Sequence, residues 1–88
     1  MKHAGRDALL TLEPLLRKIR ACAPLVEKSP GSFYLKSSAF LHFHEDAAGL
    51  FADLKEDLVS FSRYRVTTRA EQDDLVARVR RCLGLTEP

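Results

Sequence analysis

The 88-residue chain has no tryptophan, one methionine, two cysteines and four glycines, and no long apolar run. Each shortage removes a class of protein. Cys22 and Cys82 stand far apart, each inside a helical pattern, so there is no closely spaced pair to bind zinc or run dithiol chemistry; two reduced, buried thiols are expected. Gly5, Gly31, Gly49 and Gly84 are isolated, which leaves no phosphate cradle of the glycine-rich kind. The start, Met1-Lys2-His3-Ala4-Gly5-Arg6-Asp7, is polar and only Ala8-Leu9-Leu10 follows, so neither a secretory leader nor a membrane span is expected. A cytoplasmic domain without membrane association follows from these absences. Charge of one sign is also missing. Fourteen Lys and Arg against twelve Asp and Glu leave a net charge of +2, slight for a dedicated nucleic-acid binder.

What is present is enough to fold. Hydrophobic residues are 45 % and charged residues 30 % of the chain, a globular balance, and the length allows one domain over 1–88 with one thin core.

Leu12, Leu15, Leu16, Ile19 and Ala23 recur at spacings of three and four, with Glu13, Arg17, Lys18 and Arg20 on the other side. This pattern predicts an amphipathic helix capped by Thr11, with Pro14 in its first turn and Pro24 ending it. Residues 1–10 either add a short helical turn or fray. Ser29-Pro30-Gly31-Ser32 has the Pro-Gly centre of a type II turn. Beyond it Phe33–Lys36, Ala39–Glu45 and Leu50–Lys55 are short aromatic and aliphatic runs that read as antiparallel strands. Pairing Glu45 with Leu50, Phe43 with Ala52 and Leu41 with Leu54 collects the apolar side chains on one face. The opposite face then pairs His44 with Phe51, His42 with Asp53 and Phe40 with Lys55. The first hairpin, turning at Ser37-Ser38, is less determined, since a one-residue change there exchanges the faces of Phe33 and Tyr34. Residues 56–61 read as a loop or a short helix, and Tyr64–Thr67 as a fourth strand. Thr68 with Glu71 forms a capping box before a helix whose stripe is Ala70, Leu75, Val76, Val79 and Leu83, with Asp74 and Arg78 paired and Gly84 as the stop. The expected fold is therefore α+β in two layers: an antiparallel sheet of three to four strands with an N-terminal and a C-terminal helix on one face.

Four readings compete for the polar and aromatic residues of the strands. His42 and His44 point to the same side of a strand and Asp53 could complete a zinc set, but strand neighbours splay, and an ordinary His42–Asp53 pair that raises the His42 pKa is the expectation, with no metal. The His44-Glu45 pair does not continue into the zincin motif, because Ala48 stands where the second histidine belongs. Ser37, Ser38 or Cys22 beside His42 or His44 would supply a nucleophile and base, yet there is no nucleophile elbow, so no enzymatic activity and no cofactor are expected. A contact surface is the remaining use. Phe40, His42, His44, Phe51, Asp53 and Lys55 would face a protein partner or a second copy in a weak homo-oligomer, unless residues 56–63 or the N-terminus fold over the rings. The alternative is a nucleic-acid surface in which Lys36, Arg63, Tyr64 and Arg65 interleave base and aromatic, set against an edge strand kept soluble by its arginines.

The stretch FYLKSSAFLHFHEDAAGLFADLK, residues 33–55, resembles the strand–turn–strand–turn–strand run of the MmcQ/YjbR-like and competence-regulator N-terminal-like small domains, where the third strand ends in Leu-Lys, here Leu54-Lys55. The helix before and the strand plus helix after agree with that order. Ser38-Ala39 replaces the Gly-Lys common at the hairpin turn, and the segment between the third and fourth strands is short. The resemblance implies a compact α+β fold with a suspected DNA-binding role and brings no catalytic residues.

Overall fold

The computed structural model describes residues 1–85. In chain order the elements are β1 (Lys2–His3), α1 (Arg6–Thr11), α2 (Glu13–Arg20), β2 (Val26–Ser29), β3 (Ser32–Leu35), β4 (Ser38–Asp46), β5 (Gly49–Leu54), β6 (Ser62–Arg65) and α3 (Arg69–Cys82). The fold is α+β, and all strand pairs are antiparallel, in the order β2-β3-β4-β5-β6 with β1 paired to β4. Six strands replace the three or four expected. The two missed strands have physical reasons. Val26-Glu27-Lys28-Ser29 carries one apolar residue and no alternation, and it is held as an edge by pairing with β3 and by the Glu27 carboxylate. That group accepts from Arg20 Nε at 2.7 Å and from the Gly31 amide at 3.0 Å. β1 is two residues long, below any periodic signal, and takes the edge of β4 beyond the end of β3.

The N-terminal helix is broken where one helix was expected. Leu12 ends α1 and opens α2, and Thr11 is no cap: its hydroxyl donates to the Asp7 carbonyl at 3.2 Å inside α1. Pro14 sits at the start of α2, where no intrahelical N–H is lost. The helix ends at Arg20, earlier than the Ala23 of the sequence pattern.

The β4–β5 hairpin has the expected register, His44 opposite Phe51 and His42 opposite Asp53, but Asp46 also pairs with Gly49, so the four-residue loop over 46–49 that this register implied shortens to Ala47-Ala48. The β3–β4 hairpin turns at Lys36-Ser37, one residue before the expected place, with both residues at positive φ (51° and 70°). That conformation matches the twist of a hairpin but is normally given to Asn-Gly. Phe33 pairs with Leu41 and Tyr34 with Ala39, so Phe40 is the extra residue of a bulge. The bulge overturns one expectation: Phe40 is not on the outer face but 1 % exposed, and both Phe40 and Leu41 belong to the core.

One cluster makes that core: Leu12, Leu15, Leu16 and Ile19 of the N-terminal helices, Phe33, Phe40, Leu41, Phe43, Ala52 and Leu54 of the sheet, Val66, and Leu75 and Val79 of α3. The capping box is formed, with the Glu71 amide donating to Thr68 Oγ1 and the Thr68 amide to Glu71 Oε1. At the other end Gly84 takes φ +70° and the Leu85 and Gly84 amides donate back to the Arg80 and Arg81 carbonyls, a Schellman stop. Among the described residues no helix is long and apolar enough to cross a membrane.

Candidate interaction surface on the outer sheet face

Strand alternation sends two cross-strand rows to the face opposite Leu41 and Phe43. His3, His44, Phe51 and Arg65 form one across β1, β4, β5 and β6, and His42, Asp53 and Arg63 form the other across β4, β5 and β6. All three histidines of the chain thus gather on one surface. The His3 and His44 rings meet edge-on at 6.0 Å and those of His42 and His44 at 6.2 Å. His3 Nε2 lies 3.1 Å from the Pro30 carbonyl oxygen.

Asp53 is the hub of the second row. Its carboxylate accepts from Arg63 Nε at 2.7 Å and from a terminal nitrogen of the same guanidinium at 2.8 Å, a bidentate pair, and His44 Nε2 stands 3.2 Å away. The hydrogen bonds from Arg63 hold the Asp53 carboxyl below its ordinary pKa. His42 stands opposite Asp53 in register as expected, but the contact to the carboxylate is made diagonally by His44, with Arg63 bonded to both of its oxygens. His42 has a lowered pKa instead of a raised one: burial disfavours its charged form, its neighbours His44 and His3 add to this electrostatically, and Asp53 offsets only part.

A measurable pH dependence follows. A histidine whose folded-state pKa lies below its unfolded value of about 6.5 leaves stability intact above that pH and removes it as pH falls through the folded value. We expect His42→Gln to flatten the loss of stability below pH ~6.5 while leaving the separate loss at carboxylate pH, where Asp53 protonates, in place. Urea titrations at several pH values, with the His42 ring resonance followed in parallel, check this. A His42 pKa at or above the ordinary histidine value would contradict it.

Residues 56–61 form a loop, as one of the two sequence readings had it. The Asp57 carboxylate accepts from the Val59 and Ser60 amides at 2.8 Å each, and the Leu58 amide closes a turn onto the Lys55 carbonyl at 3.0 Å. The loop carries Phe61 back onto the sheet, where its ring stacks on His42 at 5.2 Å with Lys55 Nζ 5.1 Å from its centroid. Part of the face is therefore covered by this segment, while β1 extends the sheet at the edge of β4 and adds His3 to the same face. The loop itself remains bare: Leu58 is 61 %, Val59 81 % and Phe61 41 % exposed. Phe51 is half-buried under the Arg65 guanidinium, 5.8 Å from its ring.

The expected Lys36-Arg63-Tyr64-Arg65 stripe does not assemble. Alternation puts Tyr64 on the other side of β6, opposite Ala52, where its hydroxyl bonds Glu56 and Arg78 of α3 lies 4.3 Å over its ring. Arg63 is held by Asp53, and Arg65 by Glu71, the Ala48 carbonyl and Phe51. Lys36 is in the β3–β4 turn. Cys22, buried, donates to the Lys18 carbonyl; Cys82 is half-buried and burial raises its pKa; both are free thiols. Among the described residues Ser37, Ser38 and Cys22 make no hydrogen bond to His42 or His44, and no group of three or more His, Cys, Asp or Glu side chains is placed to hold a metal ion.

Sequence reasoning missed His3, Phe61, Leu58 and Val59. The signal for the last three was present as Leu58-Val59-Ser60-Phe61, an apolar run too short for an element and with no pairing partner. No protein-family model matches the chain, and comparison with the curated proteins and with the solved structures finds no match.

Proposed function

We propose that this is a non-enzymatic interaction module that self-associates through the outer sheet face, with Leu58, Val59 and Phe61 as the apolar centre and His42, His44, Phe51, Asp53 and Lys55 around it. The observation that carries the reading is the exposed loop, three large apolar side chains displayed by a segment that its own Asp57 carboxylate holds in shape. Exposed apolar patches with polar rims mark contact sites, and preorganisation lowers the ordering cost of binding. The reading takes both longer helices to lie on the Leu41/Phe43 side, so that among the described residues the 56–61 loop is what shields the other. A second copy is the occupant this reading takes: the exposed Leu58, Val59 and Phe61 side chains can meet their own counterparts across a two-fold axis. A reducing compartment such as the cytoplasm belongs to the same reading, supported by the two free thiols. The nucleic-acid alternative is weaker, because the arginines it needs are engaged within the fold. The likeness to the MmcQ/YjbR-like domains enters as a shared order of elements and carries no residue of the surface.

The test is a dilution series followed by amide chemical shifts. Val59, Phe61, His42 and Phe51 should move with protein concentration while Arg69 and Asp73 on α3 stay fixed. Shifts confined to α3, or none near millimolar protein, the weak limit of specific association at ~−4 kcal/mol, would overturn the reading.

A further inference from the structure

A cleft of about 230 Å³ lies where the β3–β4 turn meets the loop after β5, lined by Leu35, Lys36, Ala39, Phe40, Lys55 and Leu58. We infer that it is a binding site for a medium-chain carboxylate, the apolar tail lying against Leu35, Ala39 and Leu58 over the buried Phe40, and the carboxylate held between Lys36 and Lys55. Its volume is below the ~300 Å³ at which drug-sized ligands are usually held, so the occupant is small. The apolar lining offers nothing to a bare inorganic anion, and the two ammonium groups offer nothing to a neutral hydrocarbon.

The charge is uncompensated within the fold. Neither lysine has an ion-pair partner among the described residues, and the Lys55 ammonium stands over the Phe61 ring. The two carboxylates that follow Lys55 in the chain are used elsewhere: Glu56 bonds Tyr64 and Arg78, and Asp57 accepts from the amides of its own loop. What remains at the cleft is net positive.

The backbone is also unusual there. The non-glycine residues at positive φ are Lys36, Ser37 and Leu58; the first and last line the cleft and Ser37 separates Lys36 from Ser38, which also lines it. Lys36 and Ser37 take positive φ as the two-residue hairpin turn requires, and Leu58, outside any hairpin, is held there by its surroundings. Here the Lys55 amide donates to the Phe40 carbonyl at 2.9 Å and the Leu58 amide to the Lys55 carbonyl, tying the two segments into one rim.

The experiment titrates the whole chain with octanoate and, separately, with 1-octanol, its uncharged counterpart, following amide chemical shifts. Octanoate should shift Leu35, Lys36, Ala39, Phe40 and Leu58 saturably, and octanol should bind at least about fivefold more weakly, the size of one partly exposed ion pair. The double variant Lys36→Asn, Lys55→Gln should reduce octanoate to the octanol level with an unchanged melting temperature; Asn accepts the positive φ of the turn. Equal binding of the two probes to the unmodified protein, shifts centred elsewhere, or no saturable shift would each overturn the site.

Discussion

Phe43→Ser should unfold the domain. Phe43 is fully buried, contributed by the central strand β4, and its ring meets Phe33 edge-on at 6.4 Å with an interplanar angle of 78°. Removing the ring costs about 3–5 kcal/mol in lost contact and cavity, and a serine hydroxyl in that space adds the cost of an unpaired polar group, about 1–3 kcal/mol. A chain of this length has roughly 4–13 kcal/mol of total stability, so the variant should show little cooperative melting at physiological temperature. Phe61→Ser is the contrast, since that ring is partly exposed and its loss should be nearly neutral to the monomer, within ~1 kcal/mol. Circular dichroism melts of the two variants decide the matter. Similar losses in both would mean that Phe61 closes a second core over His42.

The next largest effect is expected at a residue with no side chain. Gly49 ends the β4–β5 turn at φ +139°, and a Cβ placed there would lie 2.4 Å from Thr67 Oγ1 and 3.2 Å from an Arg65 guanidinium nitrogen. The arginine can move. The threonine cannot move without loss, because its hydroxyl receives the Leu50 amide at 2.9 Å and faces the Leu50 carbonyl at 3.3 Å, which ties the start of β5 to the segment entering α3. Gly49→Ala should therefore combine about 1–3 kcal/mol of backbone strain with about 1 kcal/mol for the broken hydrogen bond. Gly84→Ala provides the control: its φ is +70° but nothing lies within 4 Å of the added methyl, so only the left-handed penalty of about 1–2 kcal/mol applies. Urea unfolding should rank Gly49→Ala well below Gly84→Ala. Equal midpoints would show that Thr67 does not bridge to Leu50.

These two positions mark what was legible beforehand. The face of Phe43 followed from alternation in β4 and β5, where a single register put Leu41, Phe43, Leu50, Ala52 and Leu54 together, and α3 followed from Thr68, Glu71 and Gly84. Phe40 was misplaced because a bulge breaks the alternation on which face assignment depends, and no residue type announces a bulge of this kind. β2 was invisible for the opposite reason: its four residues owe their strand to the partner and to the Glu27 carboxylate, a tertiary cause with no local pattern. At the site His42, His44, Phe51 and Asp53 shared a face as expected, but Asp53 also bonds Arg63 of the next strand, ten residues away in sequence, and that partner left no local pattern to read. Tyr64 shows the limit of composition, since an Arg-Tyr-Arg run looks like one surface until the pleat sends its middle residue to the other side.

The central claim is that the outer face with the 58–61 loop is where two copies meet, and sedimentation equilibrium of the unmodified chain beside the Val59→Ser, Phe61→Ser double variant tests it most directly. The unmodified protein should sediment above its 9.9 kDa monomer mass increasingly with concentration, and the double variant should lose about tenfold or more in association constant, as for a central apolar anchor, while melting at the same temperature. A monomeric unmodified protein at every concentration reached, or a variant that associates as strongly as the unmodified chain, would contradict it.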